Sequence, residues 1–187
     1  MSEICLIRHT AVGVADGTCY GHLDVPLSSD ASAQIHRVLE KFESQPDDVI
    51  YSSPSTRCAQ LAHAICAEPI IDERLMEFNF GAWEGRLWAA LPRAEIDAWA
   101  ADIEFGRAPG GDNLAAVLAR ADACLGEARA RHTGRIIFVT HGGVIRVLLA
   151  HLLGMGTAQA LCFHIDYGGI SQVRSNNGSI QLMYMNR

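Results

Sequence analysis

The stretch EICLIRHT at residues 3–10 joins a short apolar run to three charged or polar side chains. Short apolar runs that stop at polar residues are typical of buried strands in a mostly parallel sheet. The runs at 48–52 and 135–140 have the same character and predict two further strands. Two more strands are predicted near the C-terminus, over 169–174 and 179–185.

Helical periodicity fills the intervals between these strands. Apolar residues spaced three or four apart predict helices over 29–42, 55–66, 114–131 and 144–153. Strands that alternate with helices indicate crossover units, in which helices cover both faces of a parallel sheet. We therefore expect one α/β domain over residues 1–187, with a central, mostly parallel sheet.

The segment 83–112 interrupts this alternation. Its first part carries spaced apolar residues broken by Pro92, which predicts short helical pieces laid over the main layer. Its end, 105–112, is rich in Gly and predicts a loop, with Asp112 or Asn113 as the N-cap of the following helix. We expect the whole segment to form a cap or lid.

The composition fits one folded domain. A length of 187 residues suits a single domain and suffices to bury a core without disulfides or metals. With 49% hydrophobic and 19% charged residues, the chain resembles neither a disordered nor a fibrous protein.

The charge pattern argues against two classes of partner. Fifteen Lys and Arg residues against 21 Asp and Glu residues give a formal net charge of −6, and the basic residues form no runs. Such a chain offers no cationic surface, so we expect neither a nucleic-acid nor a membrane partner. The apolar run before Arg8 is too short for a signal-peptide core or a membrane span, which predicts a cytoplasmic protein.

The cysteines carry no metal-site pattern. They form no C-x-x-C pair and have no His at ligand spacing, which argues against a zinc site. In a chain without a secretion signal they are expected to be reduced and structural. We expect no metal and no other cofactor. The six cysteines are Cys5, Cys19, Cys58, Cys66, Cys124 and Cys162.

Polar residues follow each of the first three predicted strands. Arg8 and His9 follow the first, Arg57 comes one helical turn after the second, and His141 with Gly142 follows the third. Ligands of open α/β sheets bind at the carboxyl ends of the strands, and a helix N-terminus such as that after His141 favours an anion. Each residue alone is more often structural, but their convergence favours an anion-binding site.

Four blocks, in this order, resemble the histidine phosphatase superfamily, which has the phosphoglycerate mutase-like fold. The resemblance runs from about residue 4 to 173. A further stretch, GTCYGHLDVPL at 17–27, resembles the α-ribazole phosphatase branch. The blocks are LIRHT at 6–10, YSSP at 51–54 with Arg57 and Cys58, LMEFNFG at 75–81 with WEG at 83–85, and THGG at 140–143.

The resemblance implies a role for each catalytic residue. His9 would attack phosphorus as a neutral imidazole, kept uncharged by its positive neighbours. Arg8 and Arg57 would clamp the phosphate oxygens, and His141 would add a donor. Glu77 would protonate the leaving oxygen and then activate water.

Several assignments around these residues remain open at this stage. From spacing alone, Glu77 could instead form a salt bridge with Arg74 or Arg86. Tyr20 and Gly21 lie where the family's substrate loop passes the phosphate, so they are candidate substrate-binding residues, as is Gly142 beside the second histidine. Glu84 is expected to be structural.

The resemblance implies a phosphomonoesterase that acts through phosphohistidine on a small phosphorylated metabolite. The expected substrate is α-ribazole 5′-phosphate or a related cobalamin precursor, and the alternative is a broad small-molecule phosphatase. A phosphoglycerate mutase is less favoured, because Ala15 stands near the position where mutases carry Asn. A catalytically silent phospho-ligand binding domain is a fourth reading, and the oligomeric state is open.

Overall fold

The strand predicted from the first apolar run lies inside a six-stranded sheet in the computed structural model of the protein, which describes residues 2–176 and 179–187. In chain order the strands are β1 (Ser2–Arg8), β2 (Val49–Ser52), β3 (Ile70–Ile71), β4 (Ile136–Thr140), β5 (Ile170–Asn176) and β6 (Ser179–Tyr184). Across the sheet their order is β3-β2-β4-β1-β5-β6.

The pairing of the strands brings their functional ends to one edge. β1 and β2 both run parallel to β4, and β3 runs parallel to β2. β5 runs antiparallel to β1, with Ile170 opposite Ile7, so the start of β5 lies at the edge where β1 ends. The sheet is therefore mostly parallel, as predicted, and its antiparallel part delivers a further segment to the same edge.

Helices cover both faces of this sheet. They are α1 (Ala31–Lys41), α2 (Thr56–Ile65), α3 (Arg93–Ala101), α4 (Leu114–Arg131) and α5 (Gly142–Leu152). Ile4 and Leu6 of β1 share a buried cluster with α4 and α5, whereas Cys5 and Ile7 share one with α1 and α2. This two-residue alternation is the signature of a strand buried on both faces, and it places Cys5 in the core, as expected.

The predicted elements are all present, with ends that differ by a few residues, as is common at frayed termini. One strand was missed: β3 has only two residues, and both Ile70 and Ile71 are exposed at the edge of the sheet. Two exposed residues give no alternation of apolar and polar side chains from which a strand can be predicted. Of the two candidate N-caps, the observed one is Asn113, whose side chain accepts a hydrogen bond from the Ala116 amide at 2.8 Å.

The segment 83–112 forms short helical pieces over the main layer. Two 3₁₀ turns, Gly81–Trp83 and Trp88–Ala90, precede α3, and a loop leads to α4. Trp83 is fully buried beneath them, and its indole Nε1 donates to a Glu95 oxygen at 2.7 Å. Within the part of the chain that the structure describes, no helix is long and apolar enough to cross a membrane.

Candidate active site

Side chains that follow three parallel strands meet at one edge of the sheet. His9 follows β1, Arg57 lies in the first turn of α2, and His141 is the N-cap of α5. The ring centroids of the two histidines are 5.1 Å apart. Each of these three residues is at most 1% exposed. The structure thus gathers one guanidinium and two imidazoles in a buried cluster beside Arg8.

The imidazole of His9 is held in one tautomer. Its Nδ1 lies 2.7 Å from the carbonyl oxygen of Thr10, which can only accept, so Nδ1 carries the proton. Burial lowers the pKa of His9 well below its ordinary value, and the charges of Arg8 and Arg57 lower it further. The ring is therefore neutral near pH 7, and its Nε2 lone pair is free to act as a nucleophile.

The two arginines are fixed by backbone carbonyls. Arg57 donates from Nη2 to Gly21 at 2.6 Å and from Nη1 to Leu23 at 3.1 Å. Arg8 donates from Nη1 to Ile165 at 2.6 Å. In both, the buried Nε has no hydrogen-bond partner among the described residues. A buried unpaired donor is costly, and an anion bound between the two guanidiniums would satisfy it.

His141 is oriented by hydroxyl groups from the second strand end. Its Nε2 lies 2.9 Å from the Ser53 hydroxyl and 3.3 Å from that of Ser55. Burial lowers the pKa of His141 well below its ordinary value, and His9 and Arg57 lower it further. Ser53 belongs to the YSSP block, but no sequence pattern predicts a role for either serine.

Glu77 binds to the start of α5 through its carboxylate. One oxygen accepts from the Gly143 amide at 3.0 Å and the other from its neighbour Phe78 at 3.0 Å. The alternative salt bridge is wrong: Arg74 pairs with two other acids, and Arg86 donates to a backbone carbonyl. The carboxylate is instead held at the helix N-terminus that begins beside His141.

The backbone that carries Glu77 is clamped by a residue that the sequence analysis missed. Arg120 of α4 donates to the carbonyl oxygens of Arg74, Met76 and Glu77 at 2.7, 2.5 and 2.8 Å. Asp112 lies 3.7 Å from the same guanidinium. No local motif marks Arg120, because the carbonyl oxygens that it binds lie more than forty residues away in the chain.

Two tyrosines lie over the buried histidine. The hydroxyls of Tyr20 and Tyr167 are 2.6 Å apart. The guanidinium carbon of Arg8 lies 3.8 Å from the centre of the Tyr167 ring, and that ring lies 5.6 Å from His9. Tyr167 was not predicted as a site residue. It lies three residues before β5, and the antiparallel pairing of β5 with β1 brings the start of β5 to this edge.

Glycines and one acid shape the remaining walls. A Cβ on Gly21 would overlap the carbonyl oxygen of Phe78. Only glycine therefore fits at this position of the loop that binds Arg57. A Cβ on Gly142 would lie 3.4 Å from Nε of Arg8. Glu84 accepts hydrogen bonds from the amides of residues 22, 23 and 80, which ties this loop to the segment 83–112 and agrees with its expected structural role.

In residues 2–176 and 179–187, no group of three or more His, Cys, Asp or Glu side chains is placed to hold a metal ion. The positive charges beside the buried histidines are those of the Arg8 and Arg57 side chains. Arginine is a bidentate donor whose planar fork matches the oxygens of a phosphoryl group. The arrangement can therefore bind a phosphoryl group and present a neutral imidazole to its phosphorus.

Comparison with known proteins gives the same family. The family model described as "Histidine phosphatase superfamily (branch 1)" matches residues 4–187. Phosphoserine phosphatase 1 of Hydrogenobacter thermophilus is 28% identical over 92% of this chain and 86% of its own length. The adenosylcobalamin/alpha-ribazole phosphatase of Escherichia coli is 26% identical over 98% of this chain and 95% of its own length.

Solved structures show the same fold. The crystal structure of the alpha-ribazole phosphatase from Shigella flexneri superposes with a TM-score of 0.86, and the match covers 99% of this chain and 96% of that one. The two sequences are 24% identical, so this likeness concerns the fold.

Proposed function

We propose a mechanism and a substrate for this chain, which belongs to the histidine phosphatase superfamily and is a phosphoric monoester hydrolase. The mechanism is transfer of the phosphoryl group to Nε2 of His9, followed by hydrolysis of the phosphohistidine. The observation that carries it is the bond from Nδ1 to the Thr10 carbonyl, which leaves Nε2 as the free nucleophile in a buried site.

In the first step the Nε2 lone pair of His9 forms a bond to phosphorus, and the ester P–O bond breaks. Arg8 and Arg57 bind the non-bridging oxygens through donors that include their unpaired Nε groups. An alkoxide is a poor leaving group, because its conjugate acid is about as weak an acid as water. Glu77 supplies the proton that makes the product an alcohol.

In the second step a water oxygen attacks the phosphorus of phosphohistidine. The P–N bond breaks and its electron pair returns to Nε2, while Glu77 takes a proton from the water. The products are inorganic phosphate and the starting enzyme, with Glu77 protonated again. His141 and Gly142 lie at the N-terminus of α5, whose positive end stabilises the phosphoryl charge in both steps.

Tyr20 and Gly21 complete the substrate side of the site. The carbonyl of Gly21 fixes Arg57 at 2.6 Å, and the Tyr20 ring lies 5.4 Å from the same guanidinium. With its bond to Tyr167, Tyr20 bounds the entrance above His9. We assign both residues to binding rather than to proton transfer.

For the substrate, the loop at 17–27 and the relative named as an adenosylcobalamin/alpha-ribazole phosphatase support α-ribazole 5′-phosphate or a related precursor. The similar identity to a phosphoserine phosphatase supports the alternative of a broad small-molecule phosphatase. The assembled set of His9, Arg57 and Glu77 argues against a silent binding domain, and Ala15 argues against a mutase.

Two measurements test these proposals. Rapid quenching during turnover of p-nitrophenyl phosphate should trap an acid-labile phosphoryl group on the peptide that contains His9; its absence under burst conditions would refute the mechanism. A panel of α-ribazole 5′-phosphate, phosphoserine, 3-phosphoglycerate and sugar phosphates tests the substrate. We expect the highest kcat/KM for the first, because binding of its non-reacting part orients the phosphate. A flat profile would favour the broad phosphatase.

A further inference from the structure

A cavity of about 190 Å³ opens beside Glu77 and Gly143. Aromatic side chains form much of its wall: Phe78 and Phe80 stack with their centroids 5.8 Å apart, and the Trp88 ring meets Phe80 edge-on at 5.3 Å. Trp99 continues this wall 6.1 Å from Trp88. The chemistry described above uses none of these aromatic residues.

The position of the cavity relative to Glu77 decides what it can hold. A general acid must lie within hydrogen-bond distance of the leaving oxygen, so the carbon atoms of the leaving alcohol continue from that oxygen past the acid. Glu77 and Gly143 line the cavity, and Gly142, which directly precedes Gly143, lies against the Arg8 guanidinium. We propose that the alcohol half of the substrate is an apolar, ring-bearing group seated in this cavity, and that Arg146 is a specificity residue that donates to an oxygen on it.

This inference rests on the proposed function, because it takes Glu77 as the acid. The volume of the cavity limits its occupant whichever role Glu77 has. An apolar cavity of about 150 Å³ is large enough to bind benzene, so a cavity of about 190 Å³ accommodates a six-membered ring with substituents. A side chain as small as that of serine would leave most of the aromatic wall in contact with water.

Arg146 is the cation of this cavity. It projects from α5, and its Nε donates to the Phe163 carbonyl at 2.8 Å, which fixes the guanidinium plane. It forms no ion pair with a carboxylate in the described part of the chain, so its terminal nitrogens remain able to donate. A partly buried guanidinium that is not engaged in an ion pair favours an oxygen acceptor and repels an ammonium group.

The cavity offers little to an ammonium group. Glu77 is the one acid among the described residues that line it, and both of its oxygens already accept backbone amides. A zwitterionic alcohol such as serine would place its ammonium near the guanidinium of Arg146, and the one acid that could face it, Glu77, is the group that the proposed mechanism uses for proton transfer. The lining favours an uncharged ring with hydroxyl or ether oxygens.

The first experiment compares 2-phenylethyl phosphate with ethyl phosphate, whose leaving groups are both simple alkoxides. Burial of one methylene-sized group strengthens binding about fourfold. We therefore expect kcat/KM to be at least about tenfold higher for the ring-bearing ester. Trp99→Ala should bring this ratio towards one. Leu87→Ala, which alters an exposed side chain of the cap outside the cavity, should leave the ratio unchanged.

The second experiment concerns Arg146 and uses a nucleoside 5′-monophosphate and its 2′,3′-dideoxy analogue. A site built to donate to an oxygen discriminates against the analogue that lacks it. The wild type should prefer the hydroxylated ester about tenfold, Arg146→Gln should abolish that preference, and Arg146→Lys should restore part of it. The loss should fall mainly in KM, since the contact exists in both ground and transition states.

The outcomes separate this inference from the proposed function. Equal kcat/KM for 2-phenylethyl and ethyl phosphate in the wild type, with a phosphohistidine still trapped, would overturn the cavity assignment alone, and this result needs no variant to fold. Absence of the phosphohistidine would refute the mechanism instead. A preference for the dideoxy analogue, or one unchanged by Arg146→Gln, would remove the role of Arg146.

Discussion

The phosphate half and the alcohol half of the site are built from different kinds of structure. His9, Arg57 and His141 stand at the ends of parallel strands or in the first helical turn after them, and each is buried. Trp88 and Trp99 stand on a 3₁₀ turn and a short helix of the cap, and both are partly exposed. The chemistry thus rests on the rigid sheet, whereas the surface that meets the alcohol rests on short irregular elements, which can vary without disturbing it.

The largest effect should come from the centre of the phosphate half. His9→Ala removes the proposed nucleophile, and among the described residues the neighbouring imidazole of His141 cannot replace it, since its Nε2 is bound to serine hydroxyls. We expect turnover to fall by at least ~10⁴-fold and the acid-labile phosphoenzyme to disappear. The matched control is His36→Ala, whose side chain is 76% exposed on α1, and it should behave as the wild type. Normal turnover of His9→Ala would move the nucleophile elsewhere.

Glu77 lies between the two halves, because it lines the cavity and is bound to the start of α5. Glu77→Gln keeps the shape of the side chain but cannot give up a proton. Single-turnover phosphorylation by an alkyl phosphate should slow by ~10²–10⁴-fold, whereas p-nitrophenyl phosphate, whose leaving group is stable as an anion, should suffer much less.

The single-turnover step must be followed directly, because slow hydrolysis of phosphohistidine in the same variant would mask the difference at steady state. Glu73→Gln, an exposed change in the preceding 3₁₀ turn, should affect neither substrate. Equal slowing of both esters by Glu77→Gln would reduce Glu77 to a structural residue, since a displaced loop does not distinguish leaving groups.

The two halves also differ in how far the sequence predicts them. His9, Arg57 and His141 could be found because three apolar runs mark parallel strands, and the residues after such strands share an edge. Tyr167 reaches the site through tertiary packing alone, from a segment with no local motif. Arg146 follows the THGG block on α5, but its contact with the cavity depends on the packing of α5 against the segment 83–112. The antiparallel direction of β5, which brings Tyr167 to the site, is set by pairing between residues more than 160 apart in the chain.

Burial of the phosphate half should appear as a pH dependence of stability. Burial and the nearby arginines lower the pKa of both His9 and His141 in the folded state. The unfolded chain binds protons at these residues as the pH falls below about 6.5, while the folded chain does not. The contribution of the two neutral histidines to the free energy of unfolding is therefore fully present above pH 6.5. It is lost as the pH falls towards their pKa values in the folded state.

Below pH 6.5, the free energy of unfolding should fall by up to ~1.4 kcal/mol per pH unit for each histidine. Urea unfolding between pH 7.5 and 5.0 measures this pH dependence. His9→Gln removes one of the two histidines, so the difference in bound protons between the unfolded and folded states should fall by about one. Parallel curves for the wild type and His9→Gln would mean that His9 is protonated equally in both states, contrary to its burial.

The smallest effect should come from the contact above the phosphate half. The hydroxyls of Tyr20 and Tyr167 are 2.6 Å apart, and the Tyr167 ring lies 5.6 Å from His9, which is only 1% exposed. We expect this hydrogen bond to restrict the access of a phosphate to Nε2. Tyr167→Phe removes that hydrogen bond but keeps the ring on Arg8. A net hydrogen bond contributes about 0.5–1.5 kcal/mol, so the second-order rate of phosphorylation should rise by about two- to tenfold.

A double-mutant cycle distinguishes this opening from a general disturbance. Tyr20→Phe removes the same bond, so each single variant and the double variant should show the same increase, with no further gain on combining them. If the hydroxyls instead donate to the bound phosphate, each variant should lower kcat/KM, and the two losses should add. A fall in the rate on losing either hydroxyl would assign both tyrosines to phosphate binding, and the entrance would then be closed by the ring of Tyr167 on Arg8 rather than by its bond to Tyr20.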